Sequence, residues 1–142
     1  MRLWLVAALL TACDQGKPEY GSEWSISLHE IDVAQMDPPA NWHRRDITLS
    51  GDGTLVVTTK HGTRRSQLPS PRFAKLAHEL EKSAVLAAED HCGLVIDHGL
   101  HTHLAVALPQ GRNDIEVGWR CDDPKLVHVV TSLREIADRA GP

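Results

Sequence analysis

The four residues Ser50-Gly51-Asp52-Gly53 separate two β-rich runs, Asp46-Ile47-Thr48-Leu49 and Thr54-Leu55-Val56-Val57-Thr58-Thr59. Asp and Gly tolerate the left-handed backbone that a tight antiparallel connection demands, so this spacing predicts a hairpin. A second hairpin is expected from Leu100 to Leu108 and Asn113 to Cys121, around Pro109-Gln110-Gly111-Arg112. There, Leu104, Val106 and Leu108 have core parity, as do Ile115, Val117, Trp119 and Cys121, because side chains alternate along a strand. Upstream, Trp24, Ile26 and Leu28 alternate with Ser25, Ser27 and His29, the pattern of a half-buried strand, until Asp37-Pro38-Pro39 breaks it. A short strand, Arg64 to Leu68, is expected after a turn at His61-Gly62.

Helical spacing occurs twice. Phe73, Leu76, Ala77 and Leu80 form one apolar stripe, with Ser70 as the expected N-cap, Pro71 at the first helical position and an end between Lys82 and Glu89. Leu126, Val129, Val130, Leu133, Ile136 and Ala137 give a closing helix its apolar face; Asp123 caps it, Pro124 sits in its first turn and Gly141 lies beyond its end. The expected fold is α+β: an antiparallel sheet of two hairpins plus an N-terminal strand, with two helices packed on one face, in the order β-β-β-(β)-α-β-β-α. A chain of 142 residues leaves no room for a second sizeable core, so residues 23–142 are read as one domain. With four Trp, one Tyr and one Phe, aliphatic packing must supply most of that core.

Fifteen Lys and Arg against 19 Asp and Glu give a net charge of -4, which argues against a nucleic-acid-binding module. No Gly-x-Ser-x-Gly elbow, P-loop or Gly-x-Gly-x-x-Gly is present, so the sequence carries no catalytic signature. Ser50-Gly51-Asp52-Gly53 lacks the alternating carboxylates and distal Glu of a calcium loop and reads as a turn. Asp122-Asp123 sits where a helix N-terminus favours negative charge. Arg44-Arg45 and Arg64-Arg65 read as solvated charges guarding strand edges, with anionic lipid head groups as the rival partner.

The N-terminus is read as an address. After Met1-Arg2, Leu3 to Ala12 is apolar or small apart from Thr11. That run is about half of the roughly 20 residues a spanning helix needs, and it matches the apolar stretch of a secretory signal. Leu10-Thr11-Ala12-Cys13 resembles the lipobox of bacterial lipoproteins. The resemblance implies cleavage before Cys13 and acylation of its thiol, with 1–12 as signal peptide and 13–22 as lipidated Cys and flexible tether. It places the domain on the exported side of the cell envelope, anchored to a membrane by lipid. Asp14 resembles an inner-membrane retention signal. Over most of residues 45–140, the Gly-Asp-Gly-Thr hairpin, amphipathic helix, second hairpin and closing helix also resemble small exported bacterial domains of uncharacterised function. That likeness transfers no activity.

If Cys13 is acylated, Cys92 and Cys121 remain as an even pair in an oxidising compartment and read as a disulfide. A two-residue turn at Gln110-Gly111 would place Cys121 opposite Leu100, within reach of the loop carrying Cys92. The same register sets Gly118 opposite His103 and Arg120 opposite His101. Nine histidines are many for this length, and His91, His98, His101 and His103 cluster beside Asp90, Cys92 and Asp97. His101 and His103 share one strand face, so His98, His101 and His103, with His91 as a further ligand, are the candidate set for Zn²⁺ or Cu²⁺. Arg120 beside His101 would oppose a dication. The leading expectation is therefore a non-enzymatic, lipid-anchored envelope protein without cofactor, acting as a structural or partner-binding accessory domain. A periplasmic metal-binding protein is the alternative.

Overall fold

A computed structural model describes residues 21, 23–33, 38, 40 and 42–140. The N-terminal address with Cys13, and Gly141, lie outside the described residues. Before the first helix come β1 (Ser25–Val33), β2 (His43–Ser50), β3 (Thr54–Thr59) and β4 (Gly62–Gln67). Helix α1 (Ser70–Lys82) and a 3-10 turn (Val85–Ala87) lead to β5 (His91–Cys92), β6 (Gly99–Leu108), β7 (Gly111–Val117) and α2 (Pro124–Arg139). The fold is α+β: one sheet of seven strands, ordered β4-β3-β2-β1-β6-β7-β5, with two helices against one face. All neighbours are antiparallel except β5 and β7, so the sheet is mixed and has one strand more than the alternation predicts. Two residues are too few to show a period, which is why β5 leaves no trace in the pattern.

The first hairpin forms where expected. Leu49 pairs with Leu55, and the Gly53 N–H donates to the Ser50 carbonyl at 2.9 Å, with Gly53 at φ 82°. β1 lies between β2 and β6, so the N-terminal strand is the middle of the sheet. Its side chains Ile26 and Leu28 lie beside Ile47, Leu49, Leu104 and Val106 of the flanking strands, with Ile115 next to Leu104, all buried on the helix-facing side. From the helices, Phe73, Leu76, Ala77 and Leu80 of α1 and Leu126, Val129, Val130, Leu133 and Ala137 of α2 complete the core. Each large side chain so buried contributes about 1.5–3 kcal/mol.

Three local expectations change. Ser70 is the first residue of α1, not its cap; Pro69 holds the cap position and supplies no side-chain hydrogen bond. Asp123 does cap α2, accepting from the Lys125 and Leu126 N–H groups at 3.0 and 3.2 Å. In the second hairpin Leu108 pairs with Gly111, so the turn is Pro109-Gln110 and the register differs by two residues from a turn at Gln110-Gly111. A slip of two leaves every side chain on its expected face but changes every cross-strand neighbour. His103 consequently faces Glu116, not Gly118. β7 also ends at Val117, so Arg120 pairs with no strand residue across from His101, and Trp119 is 53% exposed instead of joining the core.

Candidate functional site

At the end of the sheet where β1 and β7 finish, the backbone folds around the predicted cysteine pair. Cys92 pairs with Val117 in parallel register, and its carbonyl accepts from the Gly118 N–H at 2.7 Å. Two residues on, Leu94 and Trp119 exchange both backbone hydrogen bonds, at 2.8 and 2.9 Å. The segments approach so closely that a Cβ at Gly93 would stand 2.6 Å from the Trp119 carbonyl oxygen, and one at Gly118 would strike the Leu94 carbonyl. Only glycine fits at either place. Gly93 (φ 82°) and Arg120 (φ 58°) turn the two segments, and the Cys92–Cys121 disulfide closes them with its Cα atoms 4.9 Å apart.

This corner displays what the core does not absorb. The exposed large apolar side chains among the described residues are Leu94, Val95, Leu100, Trp119 and Val127, and all belong to it. Between α2 and the ends of β6 and β7 lies an open groove of about 350 Å³, lined by Leu100, Val117, Trp119, Val127, Val130 and Arg134 among others. The Arg120 guanidinium sits 4.1 Å above the Trp119 ring, in cation–π contact.

Beneath the groove is a buried ion network. Glu30 continues the inward parity of Trp24, Ile26 and Leu28 and is only 4% exposed. Its carboxylate accepts from Arg45 Nε and Nη2 at 3.1 and 2.9 Å and from Arg134 Nε at 2.6 Å. Arg134 also donates to Thr102 Oγ1 at 3.1 Å, and Arg45 reaches Asp138 at 2.7 Å. Burial would lower the Arg45 pKa, yet the hydrogen bonds and charges of Glu30 and then Asp138 raise it above its ordinary value. Such a network fixes α2 across the sheet, since removing one partner strands a buried charge. Arg45 is therefore not the solvated edge charge its sequence neighbourhood suggests; Arg64 and Arg65, exposed on edge strand β4, are.

The histidines fall differently. His101 and His103 share the face of the sheet turned away from the helices, as their spacing implies. His103 is flanked by His29 and Glu116, and His29 is bonded through Nδ1 to Asp46. His101 Nδ1 lies 3.9 Å from Glu116, its Nε2 is buried without a partner, and His98 is exposed in the loop before β6. His91 is held by the Asp90 carboxylate at 2.9 Å, and that contact raises its pKa. Among the described residues no three His, Cys, Asp or Glu side chains are grouped to hold a metal ion, so His98, His101 and His103 are not brought together as a ligand set.

Of the corner's features, the disulfide was the legible one. Trp119 was obscured because β7 ends two residues before it. Glu30 was obscured because a carboxylate at a core-parity position carries no apolar signal, and its partners are 15 and 104 residues away. No family model matches the chain, and no curated protein matches it. No helix among the described residues is long and apolar enough to cross a membrane.

Proposed function

We propose that this is a lipid-anchored protein of the bacterial cell envelope, without chemistry of its own, whose domain docks a protein partner through the disulfide corner. The observation that carries the reading is an asymmetry: the exposed apolar side chains gather at one end of the sheet, whereas the chain enters β1 at the other. Contiguous exposed apolar surface marks interaction sites in soluble domains. Anchoring rests on the resemblance of Leu10-Thr11-Ala12-Cys13 to a lipobox. The first strand begins at the end of the sheet away from the corner, which suits a protein partner better than the bilayer. Asp14 favours the inner membrane.

Two measurements test the parts separately. Cys13→Ser should move the protein to the soluble fraction and abolish acyl labelling; retention of both overturns the lipid anchor. A photo-crosslinking residue in place of Trp119 should give a discrete protein adduct in intact cells, and the same residue in place of Arg65 should not. Equal adducts at both positions, or none at 119, overturn docking at the corner.

A further inference from the structure

We propose, resting on the docking reading above, that the corner groove takes the C-terminal end of its protein partner. The free carboxylate sits on Arg134 and Thr102, and an apolar last side chain packs against Leu100, Val127 and Val130. Helix α2 supplies one wall: Val127, Val130 and Arg134 stand at i, i+3 and i+7, one stripe of a helix, and all three line the groove. Leu100, Val117 and Trp119 line it with them. Along α2 the wall therefore changes from apolar to cationic within about one turn, between Val130 and Arg134.

The polar groups at the cationic end are fixed donors with capacity left over. Arg134 donates from Nε to Glu30 at 2.6 Å and from Nη2 to Thr102 Oγ1 at 3.1 Å, which holds the guanidinium and leaves Nη1 without an acceptor among the described residues. Thr102 lines the groove and is only 3% exposed. Its hydroxyl oxygen accepts from Arg134, while its proton has no acceptor among the described residues. A hydroxyl donates as well as accepts, so one buried in this way calls for a further acceptor. The lining itself offers no carboxylate, and its charged side chains are Arg120 and Arg134. Glu30 is already taken by Arg45 and Arg134, and Asp32 lies in the adjoining cleft, which His43 and Arg44 also line.

The missing complement is an anionic acceptor directly beside an apolar group. A C-terminal residue supplies both from one Cα. An Asp or Glu within a chain would carry two flanking peptide groups into the apolar groove, at a cost for each N–H or C=O left unpaired. A fatty acid has the same head, but its tail needs an enclosure that an open groove of about 350 Å³ does not provide.

The full chain, purified with its disulfide intact, is titrated with fluorescein-labelled octapeptides of Gly and Ser that end in Val, Leu, Ile or Phe, each as free acid and as amide. At least one free acid should raise the anisotropy saturably, and its amide should bind about tenfold or more weakly. Arg134→Lys keeps a charge for Glu30 but loses the fork, so it should weaken the acid about tenfold and leave the amide unchanged. Arg65→Ala should change neither. The acid–amide comparison needs no variant and holds even if Arg134→Lys disturbs the fold. Amides that bind as well as acids overturn the role of the carboxylate. An amidated peptide with an internal Leu-Asp that matches the best acid overturns the chain end, and dodecanoate bound more tightly than every peptide replaces the partner by a lipid. If no free acid binds, recognition of a terminus falls; the docking reading falls with it only if the crosslink from position 119 is also absent.

Discussion

Where β1 begins, Trp24 and Phe73 meet with ring centroids 4.7 Å apart and both are buried, closing the core between the sheet and α1. Where β1 ends, Leu100 and Trp119 are about half exposed, and the structure is held by a disulfide, a buried carboxylate between two guanidinium groups, and two glycines at a close backbone crossing. The first end is stabilised by what it hides. The second keeps a defined shape while leaving apolar surface in water, so covalent and backbone constraints must replace burial there. On the docking reading proposed above, the corner holds its shape without relying on burial of Leu100 and Trp119, which leaves them exposed for a partner.

The largest expected effect tests the buried end. Phe73→Ala removes a fully buried ring and should cost about 3–5 kcal/mol, read as a lower denaturant midpoint with an unchanged slope. Because the core is shared by all central strands, the loss should be global: amides of β1 and β6 should exchange faster together. A cost below about 1 kcal/mol would show that the ring pair is not central to the core.

Much of this buried end was legible in the sequence, for reasons visible in its residues. Ser50-Gly51-Asp52-Gly53 fixes a turn by backbone chemistry, and the spacing Phe73, Leu76, Ala77, Leu80 fixes a helix face; both signals are local. The other end defeats local reading. Its cross-strand neighbours are set by the β6–β7 turn at the far end of the hairpin, where Pro109-Gln110 and Gln110-Gly111 are both acceptable, and period-two alternation cannot separate them because a two-residue slip preserves the faces. The faces of His101 and His103 were therefore readable, while their neighbours were not. Trp119 kept its core parity on paper after the strand had ended at Val117. Glu30 pairs with Arg134 across 104 residues, a contact only tertiary structure creates.

The next effect tests the constrained end. Replacing both cysteines by Ala opens a connection spanning 29 residues and should cost about 3–4 kcal/mol on the chain-entropy account. The comparison predicts where the loss appears first. Amides of Leu94, Gly118 and Trp119 should lose hydrogen-exchange protection under native conditions, while those of Ile26 and Leu104 stay slow. Uniform loosening of all five would mean that the corner is not a separable unit.

A smaller effect separates the cap of α2 from the cross-link beside it. Asp123→Ala removes the acceptor for the Lys125 and Leu126 N–H groups and should cost about 1 kcal/mol. With the disulfide intact, the corner amides should keep their protection. If they lose it to the degree seen in the cysteine variant, the start of α2 shapes the corner as much as the disulfide does.

The smallest effect is a pH dependence confined to β5. The Asp90 carboxylate accepts a hydrogen bond from the His91 imidazole, and this bond, followed by the charge of Asp90, raises the His91 pKa in the folded state. A raised histidine pKa means that the folded protein holds the proton more tightly than the unfolded chain does. The resulting stabilisation is therefore complete below the ordinary imidazole pKa and is lost as pH rises through the higher folded value. The exposed position of His91 keeps it small. The Asp90 backbone carbonyl also accepts from the Glu116 N–H at 2.8 Å, so the side chain must be changed without disturbing the strand; Asp90→Asn does this. Denaturant midpoints measured from pH 5 to 9 should fall slightly less with rising pH in Asp90→Asn than in the native chain. Identical pH profiles would leave the His91–Asp90 pair with no part in holding β5, and the disulfide as the main tie at that edge.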